Sequence, residues 1–250
     1  QHPKIGLNEE IWGRLENYVE PEENILEKID NLLKENQRIY ICGLSGCGKT
    51  TLSREYASYI KTKLEPISLV FIRSGSLEDN IYELKKRYLE TRDDLFKKEE
   101  ILPLIQSKIK ESNVKILFIF DDVREEENIK EILEIIDPKH KIIITSKNTN
   151  ICDPADNAFI RLDEFDREKI VEYLKMNQID VNDKNIEKFL EDKRFKTALD
   201  IELFVKHLKS RLIDFEDLSY QKYRENRINH ILNEVKKKDS LALEILKHLS

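Results

Sequence analysis

The octet Gly43-Leu44-Ser45-Gly46-Cys47-Gly48-Lys49-Thr50 holds the residues of this chain best suited to chemistry on a phosphate, because it fits the pattern G-x-x-x-x-G-K-[ST]. Such a loop turns successive backbone N–H groups inward on an anion, which requires glycine for the backbone angles and the close approach. A helix starting just after it adds partial positive charge. Lys49 then reaches the terminal phosphates as a point charge, and the Thr50 hydroxyl ligates Mg²⁺. Gly43, Ser45, Gly46, Cys47, Gly48 and Thr51 complete the cradle. Glycine is scarce, with six in the whole chain, and three of them fall within six consecutive positions, which argues against a chance match.

A second constellation lies downstream. Val114 to Phe120 is almost continuously apolar and ends in Asp121-Asp122. Carboxylates at the carboxyl end of an apolar strand stand where open α/β sheets gather ligands. Asp121 is the candidate metal ligand, directly or through water. Asp122 reads either as the group that polarises an attacking water or as the start of the next helix. Lys141-Ile142-Ile143-Ile144-Thr145-Ser146-Lys147 ends in two hydroxyls and a cation. Thr145 and Lys147 are therefore candidates for sensing the terminal phosphate, the alternative being a polar turn with a solvated lysine. Upstream, Tyr18 and Val19 either cover a base or merely pack on the domain. The five histidines show no catalytic or metal spacing and read as surface or packed residues.

These residues need a frame, and the periodicity supplies one. Arg38 to Cys42, Ser68 to Arg73, Val114 to Phe120, Lys141 to Lys147 and Ala158 to Leu162 read as strands, separated by helical patterns. Pro103 is expected in the first turn of its helix, where a missing donor costs nothing. From Asp166 onward only helical spacing remains, and Thr197-Ala198-Leu199-Asp200 marks one helix start. The expected architecture is α/β: a five-stranded parallel sheet flanked by helices, then an all-helical segment. The expected divisions are a linker at 1–17, a nucleotide-binding domain at 18–162, a helical domain at 163–225 and a further unit beginning at 226–250.

The composition excludes other classes. Charged residues make up 37% of the chain and the net charge is −6, spread without a basic stripe, so nucleic acid is not the expected partner. Three cysteines without disulfide or metal spacing suit a reducing cytoplasm. There is neither an apolar leader nor a run of eighteen apolar residues, and no membrane span is expected. A first residue other than Met and an end within a helical pattern read as a piece of something larger.

The phosphate loop, Phe118-Ile119-Phe120-Asp121-Asp122-Val123, Ile143-Ile144-Thr145-Ser146-Lys147 and the trailing helices, in that order, resemble the NB-ARC class of STAND signalling ATPases. The resemblance covers about residues 18 to 250. It implies a P-loop NTPase fold, a helical domain and the start of a winged helix, with ATP or ADP and Mg²⁺ as cofactors. It also implies a slow ATPase acting as a cytoplasmic switch in apoptosis or innate immunity, with protein partners and self-association on activation. Two motifs differ. The family's third strand-end motif closes with Arg where this chain has Lys147, which keeps the charge and loses the planar fork. The family's Gly-x-Pro, which packs on the nucleotide, aligns with Lys196-Thr197-Ala198. The alternatives are a motor or loader ATPase of the broader AAA+ kind and a non-hydrolysing adaptor with a structural nucleotide.

Overall fold

A computed structural model describes residues 17–63, 67–89, 98–151, 158–182, 184–191 and 197–209. Residues 1–16 of the linker expected at 1–17, with Trp12, lie outside them, as do Cys152 and everything from 210 onward, where a winged helix is expected to begin.

Helix α1 (Ile25–Glu35) leads into β1 (Arg38–Gly43), the phosphate loop and α2 (Lys49–Lys61). Then come β2 (Ile67–Arg73), α3 (Leu77–Tyr88), α4 (Lys98–Glu111), β3 (Lys115–Asp121), α5 (Lys130–Ile135), β4 (Lys141–Ser146) and β5 (Phe159–Leu162). Helices α6 (Arg167–Met176), α7 (Lys184–Glu191) and α8 (Ala198–Lys209) follow. The five strands form one parallel sheet in the order β2-β3-β4-β1-β5. Strands β3, β4 and β1 are therefore neighbours, and their carboxyl ends bring Asp121, Thr145 and Gly43 to one edge.

The two-residue period of a strand sorts the sheet's side chains onto two faces. Val70, Ile72, Ile116, Phe118, Phe120, Ile142 and Ile144 join one core with Ile81, Leu84, Ile105, Ile109 and Ile132 of α3, α4 and α5. Ile39, Ile41, Leu69, Leu117, Ile119 and Ile143 join the other with Ile25, Ile29, Leu52, Tyr56 and Ile60 of α1 and α2. Both faces being covered explains why β3 reads as an unbroken apolar run. A third cluster belongs to α6, α7 and α8, where Phe189 and Phe204 stack with centroids 3.6 Å apart. Among the described residues, no helix is long and apolar enough to cross a membrane.

Three expectations are adjusted. Pro103 is the sixth residue of α4, not in its first turn, and it lies on the helix's exposed side. The helix anticipated from Ile129 to Ile136 is only six residues long, preceded by a 3-10 turn at Glu126–Asn128. Asp122 therefore starts no helix. It occupies the left-handed region at φ 61°, a conformation in which aspartate is among the tolerated residues. His140 is fully buried, accepts the Ile116 N–H on Nδ1 at 3.1 Å and lies 3.3 Å from the Ile109 carbonyl through Nε2. Burial holds its pKa below the usual range, so the proton sits on Nε2 of a neutral ring that bridges α4 and β3.

Candidate functional site

All three loop glycines have positive φ, at 155° for Gly43, 85° for Gly46 and 97° for Gly48. Gly43 is required twice over: a Cβ there would stand 2.3 Å from the Leu162 carbonyl oxygen of β5 and 2.8 Å from Cys47 Sγ. Gly48 is the N-cap of α2, so the loop delivers the chain directly into a helix whose first turn carries Lys49, Thr50 and Thr51. Lys49 is 7% exposed, and its Nζ donates to the Gly43 and Leu44 carbonyls, both at 2.8 Å. No carboxylate pairs with it among the described residues. Ser45 at the loop's tip is exposed. Cys47 is buried, and burial raises its pKa more than the Lys49 ammonium lowers it, so it is a packed thiol rather than a nucleophile.

At the sheet edge, Asp121 is the acceptor for two hydroxyls. Thr50 Oγ1 donates to Oδ1 at 2.8 Å, with Oδ2 at 3.0 Å, and Thr145 Oγ1 donates to Oδ1 at 2.7 Å. The Asp122 N–H donates in turn to Thr145 Oγ1 at 2.9 Å, and the Val123 N–H to the Thr145 carbonyl at 2.9 Å. The end of β4 thus fixes the turn that follows β3, and the αL conformation of Asp122 presents its carboxylate toward Lys147, whose Nζ lies 3.2 Å from Oδ1. The structure brings Thr50, Asp121, Asp122, Thr145 and Lys147 into one group. The sequence reading did not foresee that Lys147 would be held by Asp122.

A cleft of about 560 Å³ opens between the loop and helices α6 and α8. Tyr18, Val19 and Ala198 line it together with Cys47, Gly48 and Thr51 of the phosphate loop and the start of α2. The Tyr18 hydroxyl is buried without a partner among the described residues, and burial, with Glu20 and Glu55 nearby, raises its pKa, so it remains a proton donor. Helix α8 rests on the loop itself. The Leu199 N–H donates to the Gly46 carbonyl at 3.0 Å, and a Cβ on Gly46 would meet Leu199 Cβ and Thr197 Oγ1 at 3.1 Å. Thr197 caps α8 as expected, accepting the Asp200 N–H at 3.2 Å.

Sequence reasoning missed a polar group at the mouth of the cleft. Asn177, after α6, accepts from Asn17 Nδ2 at 3.3 Å and from Lys209 Nζ at 2.9 Å. Asn17 had been assigned to a linker. The one legible signal was on α8, where Ala198, Glu202, Val205 and Lys209 recur at helical spacing on the face that lines the cleft.

The arrangement can cradle a polyphosphate on backbone donors, a helix terminus and one buried cation. The Thr50 hydroxyl and the Asp121 carboxylate are hard oxygen donors within hydrogen-bond reach of each other, a pairing that fits Mg²⁺ delivered with a nucleotide. Among the described residues, no group of three His, Cys, Asp or Glu forms a metal cage.

The NB-ARC domain profile matches residues 21–184. No curated protein matches the chain by sequence. Among solved structures, the Walker-type ATPase of Pyrococcus abyssi is similar at TM-score 0.55 and 18% identity, covering 97% of this chain and 77% of its own. AMPPCP-bound DnaA from Aquifex aeolicus is similar at TM-score 0.55 and 20% identity over 92% and 73%. The Orc1 protein of Aeropyrum pernix, solved in complex with DNA, reaches TM-score 0.63 at 9% identity over 88% and 68%. At these identities the structures share the fold alone. The profile, spanning the loop, both strand-end motifs and the first trailing helix, is the closer kinship: this is a nucleotide-binding ATPase domain, and the chain belongs to the NB-ARC family.

Proposed function

We propose that the chain is an ATP/ADP switch in which the bound nucleotide sets how the helices from Asp166 onward pack on the sheet, and thereby exposes or hides a surface for protein partners and self-association. The observation that carries this reading is the Leu199 to Gly46 hydrogen bond, which makes the phosphate loop part of the contact between sheet and helices. We assign the nucleotide-binding domain to 18–162 and the helical domain to 163–225. Tyr18, Val19 and Ala198 enclose the base side of the cleft, and the loop from Gly43 to Thr51 holds the phosphates. Thr50 and Asp121 hold Mg²⁺, which neutralises phosphate charge when bound.

A ligand shifts the packing only by its differential affinity for the closed arrangement. ADP lodged between loop and α8 has that differential, so it is expected to raise the melting temperature; at a hundredfold excess over its Kd, linkage predicts about 2.7 kcal/mol. Thermal melts with and without ADP test this, and an unchanged transition at saturating ADP would sink it.

The Lys147–Asp122 ion pair specifically favours a second reading, a non-hydrolysing adaptor, since it occupies the carboxylate that would polarise water. The two separate by substitution. Asp121→Ala is expected to weaken Mg²⁺-dependent ATP binding, whereas Asp122→Ala leaves binding intact and slows turnover, because a metal ligand and a water-orienting group enter different steps. Wild-type turnover indistinguishable from background selects the adaptor.

A further inference from the structure

Three cations from separate segments approach the carboxyl edge of the sheet, and two already have partners. Lys49 Nζ is held by the Gly43 and Leu44 carbonyls and Lys147 Nζ by Asp122. The third is Arg73, the last residue of β2, which is exposed and whose side chain makes no hydrogen bond or ion pair among the described residues.

Its position follows from the register. Arg73 pairs with Asp121, as Phe71 pairs with Ile119 and Leu69 with Leu117. Residues in register on parallel neighbours share a face, and Leu69, Phe71, Leu117 and Ile119 all belong to the core under α2. The same alternation carries Arg73 and Asp121 onto the α2 face, where Thr50 meets Asp121. A second guanidinium stands behind: Arg54, one turn after Thr50 on α2, lies 5.1 Å from the centroid of the Phe71 ring, and its Nε is buried without a hydrogen-bond partner among the described residues. The Asp121 carboxylate, in register with Arg73, accepts from the Thr50 and Thr145 hydroxyls. This corner of the edge therefore carries more positive than negative charge, with donors in planar forks that match the oxygens of a phosphate.

We propose that Arg73 contacts the terminal phosphate of a nucleoside triphosphate and so sets the preference of this site for three phosphates over two. The inference rests on the nucleotide-site reading above. Strand β2 lies three strand spacings from β1, roughly 14 Å, so only the phosphate farthest from the loop comes within a side chain's reach of it. The fork that Lys147 lacks is supplied from the opposite side of β3.

The test is to titrate a non-hydrolysable ATP analogue and ADP, each with Mg²⁺, into the wild type, Arg73→Ala and Arg73→Lys. Arg73→Ala is expected to lose about tenfold or more in affinity for the analogue while ADP affinity stays within about twofold, and Arg73→Lys to recover part of the loss. An exposed position makes misfolding a poor explanation, and matching melting temperatures without nucleotide would confirm that. Unchanged analogue affinity in Arg73→Ala, or equal losses for both nucleotides, overturns the proposal alone. A wild type that binds neither nucleotide overturns the nucleotide-site reading together with it.

Discussion

Lys49→Ala is expected to lower nucleotide affinity at least a hundredfold while leaving the nucleotide-free protein as stable as the wild type or more so. The two effects have one cause. Lys49 Nζ is buried with carbonyl partners and no described counter-ion, an expensive way to keep a charge unless an anion arrives. Truncating it removes that desolvation cost from the free protein. In the complex it leaves a polyphosphate without its loop cation, and losing one partner of a buried charge pair costs about 3 kcal/mol or more. Isothermal titration with ADP and ATP, beside thermal melts without ligand, measures both. Near-equal affinity in wild type and variant would mean that this loop is not where the nucleotide binds.

Gly43→Ala is the second large effect, and it acts on the frame rather than on the ligand. Its Cβ would stand 2.3 Å from a backbone oxygen of β5 and 2.8 Å from the buried Cys47 sulfur, at a positive φ. Relief requires β5 to leave β1 or the loop to leave its path, since neither neighbour is the free end of a flexible chain. A destabilisation above about 4 kcal/mol is expected, with strain and lost strand pairing adding together. Gly48→Ala makes a useful contrast, because its Cβ would meet only Ala198 Cβ, at 3.8 Å, so backbone strain alone acts there. Urea melts of the two variants decide the matter, and a Gly43→Ala protein as stable as Gly48→Ala would refute the overlap argument.

The sheet was legible because burial on both faces writes itself as apolar runs, and the β3 run ends within one residue of the observed strand. The loop was legible because glycine there answers to backbone geometry that no other residue supplies. Pro103 was misplaced because a proline marks the first turn only if the helix begins where its apolar period does, and α4 extends upstream through Lys98, Glu99 and Glu100. The lock between Lys147 and Asp122 depends on a single αL residue that turns a carboxylate sideways, and no local pattern announces it. Asn17 and Asn177 are 160 positions apart and meet at the cleft between the sheet and the trailing helices. Long-range polar pairs of that kind carry no periodicity to read.

The bond from Leu199 to Gly46 has a mechanical corollary. Helix α8 is 12 residues long, roughly 18 Å, and is pinned near its first turn to the middle of the loop and at its last residue to Asn177. It is a rod with its fulcrum at the loop. A tilt of about 5° about Leu199 would move the Lys209 end by roughly 1 Å, and the Lys209–Asn177 hydrogen bond would pass that displacement to the end of α6. The same fulcrum ties the trailing helices to the sheet: cutting the chain after β5 would remove the donor to Gly46 and uncover one wall of the cleft.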